Sequence, residues 1–234
     1  MSLTVSINQP AYLPWLGYIH RIAVSDLHIV LDHVQFEKNS FVNRNRILTK
    51  DGPVWLTIPL ATKGKFGELP INGVEISDSF QWESKHFKAL YHTYHRLEFF
   101  KNYSRQLEEK IYSNHWQKLI DVLIESNKLI LGWFDVQTEQ IYSSSLDPTA
   151  AKSDLVLELC IKVGATQYLS GPFGRDYLDL ESFKNAGIDV KFHDFIHPVY
   201  EQSSNGFIPN LSCLDLLFRF GPDSTKILGS TVNE

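Results

Sequence analysis

Leu3-Thr-Val-Ser-Ile7, the segment from Tyr12 to Val24, and Leu27-His-Ile-Val-Leu31 form the stretch from which the fold is read. The first run is β-branched and alternating, and it stops at Asn8-Gln9-Pro10, because proline cannot continue a central strand. Beyond it, apolar residues recur at Leu13, Leu16, Ile19, Ile22 and Ala23, which predicts a helix over 12–24 with Pro14 in its first turn. Leu27–Leu31 reads as a second buried strand ending at Asp32-His33. Strand, helix and strand within about thirty residues predict a βαβ unit with parallel strands.

Working outward, Ile47-Leu-Thr49 and Val54-Trp-Leu-Thr-Ile58 flank the turn Asp51-Gly-Pro53 and predict a β-hairpin. Ala61–Pro70 is a Gly- and Lys-rich loop, and the segment from Gln81 to Leu131 carries helical spacing, with Gly132 as its expected C-terminal cap. A second α/β stretch follows: a helix over Ser153–Val163 stopped by Gly164, a short strand over Gln167–Leu169, the glycine loop Gly171-Pro-Phe-Gly-Arg175, a helix over Tyr177–Ala186, and a strand over Ile188–Phe192. Leu211–Phe220 is an apolar helix. The order predicts a three-layer α/β fold with a mainly parallel sheet, a β-hairpin and a helical insertion. Residues 1–80 would form the βαβ-plus-hairpin part, 81–134 the insertion, 135–222 the part completing the same domain, and 223–234 a polar tail.

Of the 234 residues, 43% are apolar and 21% charged, enough to bury one large core. The 22 Lys and Arg are outnumbered by 27 Asp and Glu, and a net charge of −5 argues against a partner built on a phosphate polymer. Cys160 and Cys213 make no disulfide framework and no zinc spacing, which fits a reducing compartment. No run approaches the ~18 apolar residues of a membrane span. The N-terminus lacks a charged segment and a cleavage site, so the expected location is the cytoplasm, without membrane insertion.

Ligands of open parallel sheets bind outside the carboxyl ends of the strands. Three loops qualify. Asn8–Trp15 offers Gln9, Tyr12 and Trp15 beside a helix start; Asp32–Arg46 offers Asp32 and His33 as acid–base groups; Ser170–Asp176 offers Arg175, with Tyr177 following. Within Asn43-Arg-Asn-Arg46, Asn43, Arg44 and Asn45 form a dense donor array suited to phosphate or carboxylate. A strand there would put the two asparagines on one face and the two arginines on the other. His92 and His95, or His193 and His197, lack the further ligands a metal needs, and neither a metal nor a cofactor is implied. Leu13-Pro-Trp-Leu-Gly-Tyr18 occupies the position where nucleotidylyltransferases carry Pro-x-His-x-Gly-His. Trp15 and Tyr18 replace both histidines, and His20 is the nearest substitute, which weighs against that chemistry.

Gln9-Pro-x-Tyr-Leu-Pro-Trp-Leu-Gly-Tyr18, Leu31-Asp32-x-Val-Gln-Phe36, Asn43-Arg-Asn-Arg-Ile47 and Thr57-Ile-Pro-Leu60 together resemble the WbqC-like family. The resemblance continues through Tyr168-Leu-x-Gly171, Gly174, Tyr177-Leu178, Phe183, Gly187-Ile188, Tyr200-x-Gln202, Phe207-Ile-Pro-x-Leu-Ser212 and Asp215. Many members carry Asp-Asp-Val-Gln where this chain has Asp32-His33-Val-Gln35. The resemblance implies surface-polysaccharide (O-antigen) biosynthesis and transfer of a glycyl or related acyl group to an amino sugar. It also adds Gln202, Ser212 and Asp215 to the substrate-binding residues. The expected substrate is small and anionic, a nucleotide sugar or an activated acyl donor, with Asp32 or His33 taking the amine proton. The alternatives are a nucleotidylyltransferase-related enzyme and a non-catalytic nucleotide- or sugar-binding protein. The site expectation is spatial: Gln9, Arg44 and Arg175 gather around one hollow at the sheet rim.

Overall fold

The computed structural model describes residues 2–64, 67, 69–78, 80–202 and 206–229. In chain order the elements are β1 (Thr4–Asn8), α1 (Leu16–Ala23), β2 (Leu27–Val30), β3 (Arg44–Thr49), β4 (Gly52–Thr57), α2 (Trp82–Tyr94), α3 (Phe100–Leu107), α4 (Leu119–Trp133), β5 (Glu139–Tyr142), α5 (Lys152–Lys162), β6 (Gln167–Ser170), α6 (Leu180–Asn185), β7 (Asp189–Phe192), α7 (Leu214–Phe220) and α8 (Asp223–Gly229). Five strands form a wholly parallel sheet in the order β5-β2-β1-β6-β7, and β3 and β4 form a separate antiparallel hairpin. The mixed α/β class with a parallel sheet and a hairpin is therefore present as the sequence predicts.

Alternation explains how the sheet separates two cores. Val5 and Ile7 of β1 and Leu27 and Ile29 of β2 pack with Leu155, Leu159 and Phe183 of α5 and α6. On the opposite side α1, the hairpin, the long helices and α7 share a larger core around Tyr12, Ile19, Ile47, Leu123 and Phe218. Ser6 and His28 face that second layer between the two cores, and Ser6 Oγ meets His28 Nδ1 at 2.8 Å. Chain order reverses at β1: the chain builds β2 and β5 on one side of it, then returns to build β6 and β7 on the other. The crevice between the carboxyl ends of β1 and β6 is thus the topological switch point, where open α/β sheets bind ligands.

Four local expectations are corrected. Helix α1 begins at Leu16, not Tyr12: Leu13 adopts a left-handed φ of 44°, and its carbonyl and that of Pro14 are taken by Asn45 Nδ2 and Cys213 N–H. Apolar spacing had imitated a helix in what is a buried loop. Gly132 lies inside α4, and the chain turns left-handed at Asp135 instead, with φ 55°. Helix α6 begins at Leu180, not Tyr177, and Asp179 caps it, accepting from the N–H groups of Glu181 and Ser182. The stretch read as a polar tail opens with α8, whose Leu228 is buried in the larger core.

Buried histidines make the fold sensitive to acid. Burial, aided by the charge of Arg21, holds His28 down to about 3. Burial holds His86 down to about 4, against a backbone hydrogen bond at Thr57. Each stays neutral when folded but takes a proton in the unfolded chain below about pH 6.5. The unfolded state then binds more protons, so stability falls as pH drops from about 6.5 towards the folded pKa values. Urea titrations are expected to show a loss of roughly 2–4 kcal/mol between pH 7 and pH 5. A stability unchanged over that range would contradict neutral burial of both rings.

Candidate functional site

At the switch point Arg21 stands in the last turn of α1. Its guanidinium ends against Gly171, just beyond β6, where even a Cβ atom would overlap a guanidinium nitrogen. Only glycine lets backbone and charge approach so closely here. Arg21 is 8% exposed and makes no ion pair or hydrogen bond to another described residue through its side chain. Burial disfavours its charge, while Tyr168, Tyr18 and Tyr177 favour it. A buried guanidinium without an acid is costly, yet it remains charged at any physiological pH.

Beside it, His20 Nδ1 and His193 Nε2 lie 2.7 Å apart, with the rings stacked at 5.0 Å between centroids. The His193 backbone N–H donates to Ser170 O, which ties the strap after β7 to the end of β6. Phe195 packs against both imidazoles and against Trp15, forming an aromatic wall. Burial lowers the pKa of His20. Burial, then His20 and Arg21, bring His193 down to about 4 against the opposing charge of Asp194. Both rings are neutral at pH 7, so one N–H is shared between them and His20 Nε2 is left buried without a partner. A fixed cation adjoining a neutral imidazole pair can hold an anionic group and accept a proton close to it.

The predicted catalytic pair lies at the end of β2. Asp32 Oδ1 accepts from Ser143 Oγ at 2.9 Å and from the Ser144 N–H at 2.9 Å, and Oδ2 accepts from Ser144 Oγ at 2.6 Å. Burial raises its pKa, but the hydrogen bonds from Ser144 and Ser143 outweigh it and leave the carboxyl below its usual range. Buried and held by these donors, Asp32 clamps the turn after β5 to the end of β2. His33 Nδ1 meets Ser143 Oγ at 2.6 Å, so the half-buried ring is held by the same clamp.

The other predicted residues disperse. Asn43 and Asn45 do point inward, as strand alternation predicts, but they serve the backbone: Asn43 Nδ2 donates to Ile58 O at 2.9 Å and Asn45 Nδ2 to Leu13 O at 2.6 Å. Arg44 turns outward onto the Trp55 ring at 4.2 Å and donates to Asn39. Arg44 and Asn43 line a cleft of about 220 Å³ beside the hairpin that neither Gln9 nor Arg175 enters. Arg175 is exposed, lies over the Phe192 ring and is paired with Asp194 at 2.9 Å. The three residues expected around one hollow therefore do not share that cleft.

Tyr12 is a core residue, its hydroxyl 2.9 Å from both His86 Nδ1 and Tyr112 Oη. Gln202 spans a loop by bonding both the N–H and the carbonyl of Ile208. Ser212 is buried and accepts from the Leu214 N–H, and Asp215, fully buried, pairs with Arg219 at 3.2 Å. All four have partners within the fold. Trp15 and His20 meet through Phe195, and Tyr177 is near enough to Arg21 to favour its charge. Arg21 was missed: in sequence it is one polar residue of Leu16–Ala23, and what sets it apart is burial, which runs unbroken from Leu16 to Ile22 in the folded helix. Among the described residues no group of three or more His, Cys, Asp or Glu could hold a metal ion, and no helix is long and apolar enough to cross a membrane.

Fold and rim define a doubly wound α/β protein with an arginine–histidine site at its switch point. The chain belongs to the WbqC-like protein family, whose model matches residues 9–227. A relative from Mycobacterium tuberculosis (strain ATCC 25618 / H37Rv), the uncharacterized protein Rv1507c, is 32% identical over 225 residues, covering 96% of each chain. No solved structure matches.

Proposed function

We propose that the protein is a cytoplasmic acyl transferase, joining a glycyl or related acyl group to the amine of an amino sugar or nucleotide-linked sugar for surface polysaccharide. The observation that carries this reading is the buried Arg21 guanidinium, unpaired among the described residues, beside the neutral His20–His193 pair. Arg21 holds the phosphate or carboxylate of the activated substrate by charge-assisted bonds. The amine attacks the acyl carbonyl, a C–N bond forms as the bond to the leaving group breaks, and His193 takes the amine proton and returns it to the leaving group. An anion on Arg21 also cancels part of the charge that depresses His193, so substrate binding makes the imidazole a better base.

This reading moves the acid–base role from Asp32 and His33 to His193, and the anion-binding role from Arg44 and Arg175 to Arg21. Purified protein, nucleotide-linked amino sugars and activated acyl donors provide the test. His193→Gln is expected to lose turnover by about 10²–10⁴-fold, the range of a general base. Arg175→Ala should stay near the native rate. Full turnover in His193→Gln, or its absence in the native protein across the donor panel, would overturn the assignment.

A further inference from the structure

Of the four ring nitrogens in the His20–His193 pair, two meet at 2.7 Å, and the other two differ in exposure. His20 Nε2 is buried without a partner, whereas His193 Nδ1 bonds to no other described residue and keeps accessible surface. Asp194, next in the chain, is paired instead with Arg175 at 2.9 Å. His193 Nδ1 is thus the ring nitrogen of the pair left open to a substrate.

Each neutral ring carries one hydrogen, so the pair has two arrangements. If His20 Nδ1 donates, both rings hold the hydrogen on Nδ1, and the open nitrogen of His193 is an N–H that cannot accept a proton. If His193 Nε2 donates, both rings hold it on Nε2, and the open Nδ1 presents a lone pair. The second arrangement is favoured at both residues, because a histidine side chain with a free choice holds its hydrogen mainly on Nε2. Either arrangement leaves His20 Nε2 unsatisfied, so that cost, about 1–3 kcal/mol, does not choose between them.

The His193 ring also needs support from outside its own segment. His193 opens a strap over 193–200 without regular structure, and among the described residues the one backbone–backbone hydrogen bond of that strap runs from the His193 N–H to Ser170 O. His20, by contrast, is buried within α1, and Phe195 packs on both imidazoles. A residue on a helix therefore orients a ring carried on irregular chain, and a hydrogen bond at one imidazole nitrogen fixes the state of the other.

We propose that His20 is the positioning residue of this site: its Nδ1 accepts the His193 Nε2–H and so keeps the His193 Nδ1 lone pair free for the amine proton. The role rests on the transferase reading given above, but the placement of the hydrogens is measurable in the resting protein. As the C–N bond forms, Nδ1 takes the amine proton, and the imidazolium shares its charge with His20 across the N–H···N bond. Nδ1 then returns the proton to the leaving group.

NMR of the protein labelled with ¹⁵N in its histidine rings, at pH 7 and without ligand, tests this. His193 is expected to show a protonated Nε2 and an unprotonated Nδ1, with a ¹⁵N–¹⁵N coupling across the hydrogen bond to His20 Nδ1. A hydrogen on His193 Nδ1 or on His20 Nδ1, or no coupling, overturns the proposal. His20→Asn sets an amide oxygen where the ring has Nδ1 and should keep most of the turnover. His20→Leu removes the acceptor and should lower kcat by about 10–100-fold at unchanged KM, as when a metal-bound histidine loses the group that orients it. Equal turnover in the two variants would reduce His20 to packing and also overturn the proposal. Should His20→Leu fail to fold, the spectrum of the native protein decides. Absence of turnover in the native protein bears on the transferase reading alone, because the spectrum needs no substrate.

Discussion

Arg21→Met is expected to do two opposite things at once: raise the stability of the protein and abolish anion binding. The guanidinium is buried, without a carboxylate or a hydrogen-bond partner among the described residues, so its desolvation is uncompensated in the free protein. Methionine keeps much of the side chain's length and apolar contact while removing the charge. A gain of order 1–3 kcal/mol in urea unfolding is expected, by analogy with buried charges replaced by apolar residues. Binding should fall by at least about 100-fold, because charge-assisted hydrogen bonds to an anion are worth about 1.5–3 kcal/mol each. Arg21→Lys keeps the charge but loses the planar fork, and should fall between the two. This stability–function trade marks a residue retained for a ligand. If Arg21→Met proves strongly destabilising, the guanidinium is a structural element and the anion site is elsewhere.

Asp32→Ala carries the second large effect, in the other direction. Removing the carboxylate leaves Ser143 Oγ, Ser144 Oγ and the Ser144 N–H without their acceptor, and the end of β2 loses its link to the turn after β5. A loss of about 3–5 kcal/mol is expected, the cost of breaking a buried charged network on one side. That is a large part of a typical domain's stability. The same network predicts a pH dependence. The folded carboxyl has a lowered pKa, so its stabilisation is present above the unfolded value near 4 and is lost as pH falls through the folded value. A base at this position would instead give a variant of native stability and lost turnover. Thermal unfolding of Asp32→Ala beside the native chain distinguishes the two roles.

Strands and hairpin were legible because their signals are local. Val5 and Ile7 alternate with Ser6, two alternating runs flank a turn expected at Asp51-Gly-Pro53 that falls at Lys50-Asp51 with Gly52 and Pro53 already in β4, and period-two reasoning placed Asn43 and Asn45 opposite Arg44. The loop before α1 was not legible. Tyr12, Leu13 and Pro14 are buried by contacts with Phe41, Asn45 and Cys213, residues remote in sequence. Burial without regular backbone looks like helical spacing when only the apolar positions are visible. The site divided in the same way. The glycine loop after β6 marks the right rim, but the charge that meets Gly171 comes from α1, about 150 residues earlier in the chain. Motif reading favours arginines inside loops, and Arg44 and Arg175 have partners of their own: Asn39 with the Trp55 ring, and Asp194 with the Phe192 ring. The informative arginine is the buried one with no carboxylate partner among the described residues, and only the three-dimensional structure reveals that.

The most direct measurement is NMR of the protein labelled with ¹⁵N-arginine and ¹⁵N-histidine, titrated with inorganic pyrophosphate at pH 7. The Arg21 Nε–H and the His193 ring resonances should shift together and saturate, with those of Arg44 and Arg175 unmoved. Saturable shifts at Arg44 or Arg175 while Arg21 stays still would contradict an anion site at the β1–β6 crevice.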